Sequence, residues 1–213
     1  GECTGKRQCD QSIMNTNVGG SGNYGHVSDQ LLRYFKDLGC KTMLDIGCGV
    51  GMNVAYANEV HGYEGYGLEG DANCVPHKLI DDIIVHDFEN DGFLDKSRLP
   101  HEEFDLVYCV VVSEHIEDSA NAQFMDALSL GKYVVFTWCT PGYPGYHHVN
   151  CQLPEYWIPK FESKGYTYLP DRSRDIQRMP LNMFKQPWWR GQQYNPKQVR
   201  KAYIKDWGMV FKR

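Results

Sequence analysis

Acidic side chains recur at the ends of short apolar runs in this 213-residue chain. Asp45 precedes a glycine turn, Gly47-Cys48-Gly49-Val50-Gly51. Glu69 lies in Gly67-Leu68-Glu69-Gly70-Asp71, Asp87 is followed by Phe88, and Glu114 by His115. Glycines at alternate positions let backbone approach a ligand closely and set a helix N-terminus beneath it. A carboxylate just ahead of such a turn repels a pyrophosphate but pairs with an amino group, and no phosphate-binding Lys stands in the loop. Glu69 suits a pair of ribose hydroxyls. Asp87 and Phe88 offer a carboxylate and an aromatic face to an adenine. Together these residues describe a ligand that is cationic or zwitterionic and contains a nucleoside, which NAD and ATP fit poorly.

A second group of residues is suited to taking a proton. Thr140–Gln152 is a Gly/Pro-rich segment holding Tyr143, Tyr146, His147, His148 and Asn150. Imidazoles are bases near neutral pH, so His147 and His148 are candidates for activating a hydroxyl, and His115 is a third. Neighbours in extended chain face opposite sides, so one of His147 and His148 is expected to point away. His115 equally suits a packing role, bonded to backbone.

The elements that position these groups follow from periodicity. Thr42–Ile46, Tyr63–Glu69, Ile83–Asp87, Phe104–Val112 and Tyr133–Cys139 are apolar runs of strand length. Helical stretches alternate with them at Val50–Val60, Asp71–Ile80 and Ser119–Leu130. Strands that are apolar on both faces and alternate with helices predict a parallel sheet covered on both sides. Ser28–Leu38 carries Leu31, Leu32, Phe35 and Leu38 at helical spacing, with Ser28 as N-cap and Gly39 just past the end. A further helix starts at Pro154, with Pro159 expected to kink or shorten it. Tyr166–Leu169 and Trp207–Lys212 read as final strands, and Asp171–Lys205 shows no clean periodicity. The C-terminal ends of parallel strands face the binding crevice, which places the Thr140–Gln152 loop over the reacting group.

Composition narrows the classes. With 42% apolar and 13% aromatic residues the chain supports one sizeable core. No run approaches the roughly 18 apolar residues of a membrane span, and no basic-then-apolar leader opens the sequence. Eight cysteines without any CxxC give little support to a metal site, and none is expected. A reducing compartment follows, the cytoplasm, or the host cytoplasm for a viral protein. The net charge of −5 conceals a division: residues 1–159 carry −14 and residues 160–213 carry +9.

The joint pattern of Leu44-Asp45-Ile46-Gly47-Cys48-Gly49-Val50-Gly51, Glu69, Asp87-Phe88 and Glu114-His115-Ile116 resembles the class I S-adenosylmethionine-dependent methyltransferases over about residues 25–170 and the final strand. That resemblance implies an α/β, Rossmann-like, doubly wound sheet of seven strands, mostly parallel with an antiparallel last strand. It implies that Asp45, Gly47, Cys48, Gly49 and Gly51 border the methionine end of the cofactor, and that Glu69 with Gly70 takes the ribose. Asp87 and Phe88 would then hold the adenine, with Val110 and Glu114 completing the site. His148-Val149-Asn150-Cys151-Gln152 followed by Pro154-Glu155-Tyr156-Trp157-Ile158 resembles a subset found in phages, large DNA viruses and polysaccharide clusters. Pro159 departs from the acidic or polar residue usual there. The subset implies O-methylation of a sugar, such as rhamnose in a glycan, beside or fused to glycosyltransferase domains; multidomain glycosyltransferases of chlorella viruses end in such a domain.

The basic C-terminal stretch leaves a second acceptor open. Trp188, Trp189, Tyr194, Tyr203 and Trp207 among basic residues suit single-stranded nucleic acid, but the same aromatic faces stack on sugars. The acidic body disfavours phosphates near the cofactor. Tyr143, Tyr146, Asn150, Trp188 and Trp189 are therefore read as acceptor-binding. Residues 1–27 are expected to be a flexible segment or lid, and 28–213 one methyltransferase domain with 171–205 as an irregular acceptor-side insertion. A cofactor-binding module without catalysis is the third reading.

Overall fold

Strands that are apolar on both faces end up in the middle of a sheet, where both faces are covered. The computed structural model, which describes residues 24–145, 147–180, 182–185 and 203–213, has this arrangement. Its first half runs β1 (Tyr24–Val27), α1 (Asp29–Asp37), β2 (Thr42–Ile46), α2 (Met52–His61), β3 (Glu64–Glu69), β4 (Ile83–Val85) and β5 (Phe104–Cys109). The second half runs α3 (Asn121–Leu128), β6 (Gly131–Thr137), α4 (Pro154–Ser163), β7 (Thr167–Tyr168), α5 (Pro170–Gln177), β8 (Asn182–Lys185), α6 (Tyr203–Trp207) and β9 (Gly208–Lys212).

Seven strands pair in the order β4-β3-β2-β5-β6-β9-β7. Only β9 runs against its neighbours β6 and β7; the other pairs are parallel. This is the expected fold, with the last strand of the chain inserted antiparallel. The chain reverses its direction of winding between β2 and β5, so their C-terminal ends open a crevice.

Two apolar layers clamp the sheet. On one face α1, α2 and α5 bring Leu31, Leu32, Phe35, Met52 and Ile176 against Met43, Leu106 and Val210. On the other, Phe124, Trp157 and Phe161 pack on Phe136 and Phe211, with the Phe161 and Phe211 rings stacked at 3.9 Å. Truncating a fully buried ring such as Trp157 removes a side chain worth about 3–5 kcal/mol.

Several local expectations are corrected. Ser28 stands at the N-cap of α1 as expected, but its side chain makes no cap hydrogen bond; its hydroxyl lies 3.2 Å from the Tyr108 phenol, tying the helix to β5. Helix α4 passes through Pro159 to Ser163. The missing N–H removes one early hydrogen bond, while buried Trp157 and Phe161 on either side hold the helix to the sheet. The stretch at Asp71–Ile80 is a 3₁₀ turn, Ala72–His77, capped by Asp71 through the Asn73 amide at 2.8 Å. Within the segment read as irregular, α5 is helical. Its inward contacts come from Ser173 and Ile176, too few apolar residues to show a period. Residues 24–27, assigned to the flexible segment, form β1 and pair antiparallel with β8. Residues 1–23 lie outside the described residues. Among the described residues no helix is long and apolar enough to cross a membrane.

The two ends of the sheet treat carboxylates differently. At the N-terminal end, Asp105 of β5 accepts from the amides of Lys41 and Thr42 and pairs with Lys132 at 2.9 Å. Burial pushes its carboxyl up, but Lys132 and the two amides outweigh it and bring the pKa to about 2. At the C-terminal end burial is the leading influence on Asp45, Glu69 and Glu114, and their carboxyls are raised instead.

Candidate active site

The turn after β2 lies at the winding reversal. Gly47, Gly49 and Gly51 have φ of 76°, 57° and 80°, in the left-handed region that favours glycine. Gly47 has a second reason to lack a side chain, because a Cβ there would overlap a methyl of Val112. Glu69, at the end of β3, clamps the turn: one carboxylate oxygen accepts from the Gly49 amide at 2.7 Å and the other from the Asp71 amide at 2.9 Å. Burial raises its pKa, against the pull of those amides.

Asp45 is 2% exposed. Its Oδ2 has no hydrogen-bond partner among the described residues. Burial, then the negative charge of Glu69, pushes its carboxyl well above the ordinary value, and a hydrogen bond from Asn53 offsets only part of this. Nothing in the periodicity singles out Asn53, which sits two residues past the last glycine on α2. A buried, half-unpaired carboxylate beside a glycine cradle and a second acid fits an entering cationic group. Burial, then the nearby Asp45 and Glu69, raise the Cys48 thiol well above its ordinary value, which disfavours its thiolate.

The adenine side is less as expected. The Asp87 carboxylate closes a local turn, accepting from the Glu89 amide at 3.0 Å and the Asn90 side chain at 2.7 Å. Phe88 is turned inward, its ring packed on His86 and Phe124 at 5.1 and 5.6 Å, because burying an apolar ring outweighs displaying it. It presents little face to a nucleobase. Gly70 lies beside the backbone of His86 and Asp87.

The strand expected to reach Val112 ends at Cys109, because Val111 adopts φ +60°. A β-branched residue in that region is strained. The strain is held by the Val111 amide donating to the Thr137 hydroxyl at 2.8 Å, and by Ser113 donating to the Thr137 carbonyl at 2.9 Å. The turn lays half-buried Val110 and Val112 along the crevice and buries Glu114 at 2% exposure. Burial raises the Glu114 pKa, partly offset by backbone and by His148, and its Oε2 has no partner among the described residues.

Glu114 also anchors the histidine loop, since its carbonyl accepts from the amides of Val149 and Asn150 at 2.9 and 3.1 Å. Asn150 is thereby buried, with neither side-chain polar atom partnered among the described residues. His147 reverses the backbone at φ +51°, and its carbonyl lies 3.3 Å from His115 Nδ1. Of the two adjacent histidines, His148 is the one whose ring meets His115, edge-on at 5.0 Å. Its Nδ1 lies 3.1 Å from the Tyr143 carbonyl and 3.8 and 3.7 Å from the sulfurs of Cys139 and Cys151. Tyr143, 40% exposed, runs parallel to His148 and meets Trp207 edge-on at 4.9 Å, and Trp207 faces Trp138 at 6.3 Å. Trp138, Cys139 and Cys151 were not expected at the site, since strand-end aromatics and thiols pass for core. Tyr146, Trp188 and Trp189 lie outside the described residues.

A seven-stranded sheet with one antiparallel strand, a glycine turn at the winding reversal and acids at the strand ends define a class I methyltransferase. The family model described as a methyltransferase domain matches residues 23–177, and the chain belongs to that family. Its cofactor is S-adenosylmethionine. No curated protein matches the chain significantly. Among solved structures, a TehB-like S-adenosylmethionine-dependent methyltransferase from Corynebacterium glutamicum is similar at TM-score 0.52 and 16% identity, covering 95% of each chain. A methyltransferase from Archaeoglobus fulgidus gives 0.50 and 19%, over 74% of this chain and 75% of that one. The methyltransferase domain of bacterial CtHen1 gives 0.53 and 12%, over 87% and 96%. At these identities the likeness is one of fold.

Proposed function

We propose that the chain methylates a hydroxyl of a sugar, a deoxyhexose such as rhamnose within a glycan. The observation that carries this reading is the pair His115 and His148, each with Nδ1 facing a backbone carbonyl, at 3.3 and 3.1 Å. A carbonyl accepts only from an N–H, so the protons sit on Nδ1 and the basic lone pairs on Nε2. That is the tautomer needed to take a proton from an alcohol. The aromatic group of Tyr143, Trp207 and Trp138 beside them supplies faces on which sugar C–H groups stack, and the Asn150 amide, without a partner among the described residues, supplies a donor and an acceptor for hydroxyls.

When bound, S-adenosylmethionine supplies an electrophilic methyl group on a sulfonium. Asp45 would hold its amino group, Glu69 its ribose hydroxyls and Asp87 its adenine amino group, while Val110 and Glu114 border the reacting end. The chain's task is then to position the acceptor and remove its proton. Among the described residues six cysteines stand as free thiols, which supports a reducing compartment such as the cytoplasm. The acceptor chemistry suits a partner or fused domain of the glycosyltransferase class.

Replacing both His115 and His148 by Ala is expected to lower methyl transfer by about 10²–10⁴-fold, with cofactor affinity retained. Calorimetry alongside a labelled-methyl assay checks this. A double variant that transfers at the parental rate would remove both residues as bases.

A further inference from the structure

We propose that Cys139, His148 and Cys151 form a binding site for one thiophilic divalent cation of the zinc class, with a fourth coordination position open to solvent or acceptor. The sulfurs of Cys139 and Cys151 lie 3.8 and 3.7 Å from the same nitrogen, His148 Nδ1. The three donor atoms lie within 4.8 Å of one another. Zinc bonds to thiolate sulfur and imidazole nitrogen are about 2.3 and 2.0–2.1 Å, so a tetrahedral sulfur–nitrogen edge spans roughly 3.5 Å. Both sulfur–nitrogen separations therefore stand within a few tenths of an ångström of coordination spacing.

The backbone builds the convergence. Cys139 lies two residues past the end of β6 and is buried. The chain leaves through the Gly/Pro segment and reverses at His147. It returns with Val149 and Asn150 bonded to the Glu114 carbonyl, which brings His148 and Cys151 over Cys139. Eight residues separate the first two ligands and two the last pair, which is why no CxxC marks the site. Two sulfurs and one imidazole select a soft or borderline ion over magnesium or calcium. Three protein ligands with an open position are the pattern of a reactive zinc centre rather than a closed structural one.

A neighbouring group, Glu114, His115 and His148, shares His148 but offers a carboxylate and two imidazoles, a harder set. The convergence of both sulfurs on Nδ1 favours the thiolate site. An ion on Nδ1 displaces the contact with the Tyr143 carbonyl and leaves the proton of His148 on Nε2. His148 then serves as a ligand, and His115 is left as the imidazole whose Nε2 receives the acceptor's proton.

Cobalt(II) titration of the chelator-treated chain tests this without any acceptor. The expected result is saturation at one cobalt per chain, with a thiolate-to-cobalt charge-transfer band and intense tetrahedral visible absorption, both abolished by equimolar zinc. Cys151→Ser should weaken cobalt binding by at least about tenfold and reduce the charge-transfer band, and Glu114→Gln should leave the band in place. Cys151 is only half-buried, so its substitution spares the fold if Cys139→Ser does not. Absence of binding, binding without a charge-transfer band, or binding that responds to Glu114→Gln and not to Cys151→Ser would each overturn the site. A bound ion would leave His115 alone as the base of the proposed transfer, and its absence would leave both histidines; transfer to a sugar is read separately, in the labelled-methyl assay.

Discussion

Asp45→Asn is expected to leave the fold intact and to weaken binding of S-adenosylmethionine by about 100-fold or more, since a buried cation that loses its counter-charge costs about 3–5 kcal/mol. Burial and Glu69 raise the Asp45 pKa well above the ordinary value, a shift toward the neutral form, whose shape Asn copies. An arriving ammonium group favours the ionised form instead. Binding should therefore release a proton, and affinity should rise with pH until Asp45 is ionised without ligand. The sign for stability is opposite. A carboxyl with a raised folded pKa stabilises the fold fully below its unfolded value, and that contribution is lost as pH climbs through the folded one. Asp45→Asn should thus raise the melting temperature of the ligand-free chain at neutral pH while lowering its cofactor affinity. Calorimetry in buffers of different ionisation enthalpy reads both affinity and proton release. Parental affinity in the variant, or affinity independent of pH in the parent, would remove Asp45 from the amino-group role.

Gly145→Ala is expected to reduce methyl transfer by about 100-fold, the usual cost of a misplacement near 1 Å, while leaving cofactor affinity unchanged. A Cβ at Gly145 would overlap three ring atoms of His148, and Gly145 is not among the residues in the left-handed region. The backbone therefore accepts alanine, and the imidazole, not the fold, has to move. A loss in turnover with an unchanged melting temperature and cofactor affinity would match this. Parental turnover would show that the position of the His148 ring does not matter to transfer.

How much was legible in the sequence depends on how many chain reversals a feature needs. The glycine turn, Asp45 and Glu69 belong to contiguous strand–turn–helix units, so spacing alone brings them to one edge. The seven-stranded sheet was legible because β2, β5 and β6 are nearly uninterrupted apolar runs. The inward packing of Phe88 was not legible, because an aromatic after an acid reads the same whether its ring faces a ligand or, as here, Phe124. Helix α5 gave no periodic signal because Ile176 is its one large buried apolar residue. The grouping of Cys139, His148 and Cys151 depends on the left-handed turn at His147, and no local pattern encodes a non-glycine residue in that conformation.

The central claim, transfer to a sugar oxygen at this edge of the sheet, is tested most directly by mass spectrometry of a mixture of rhamnose-containing oligosaccharide and single-stranded RNA incubated with the protein and methyl-labelled S-adenosylmethionine. The expected result is one labelled methyl on a sugar oxygen, with yield holding as salt rises from about 50 to about 200 mM, a range over which nucleic-acid binding falls by orders of magnitude. Label in the RNA with the oligosaccharide unmodified would contradict it.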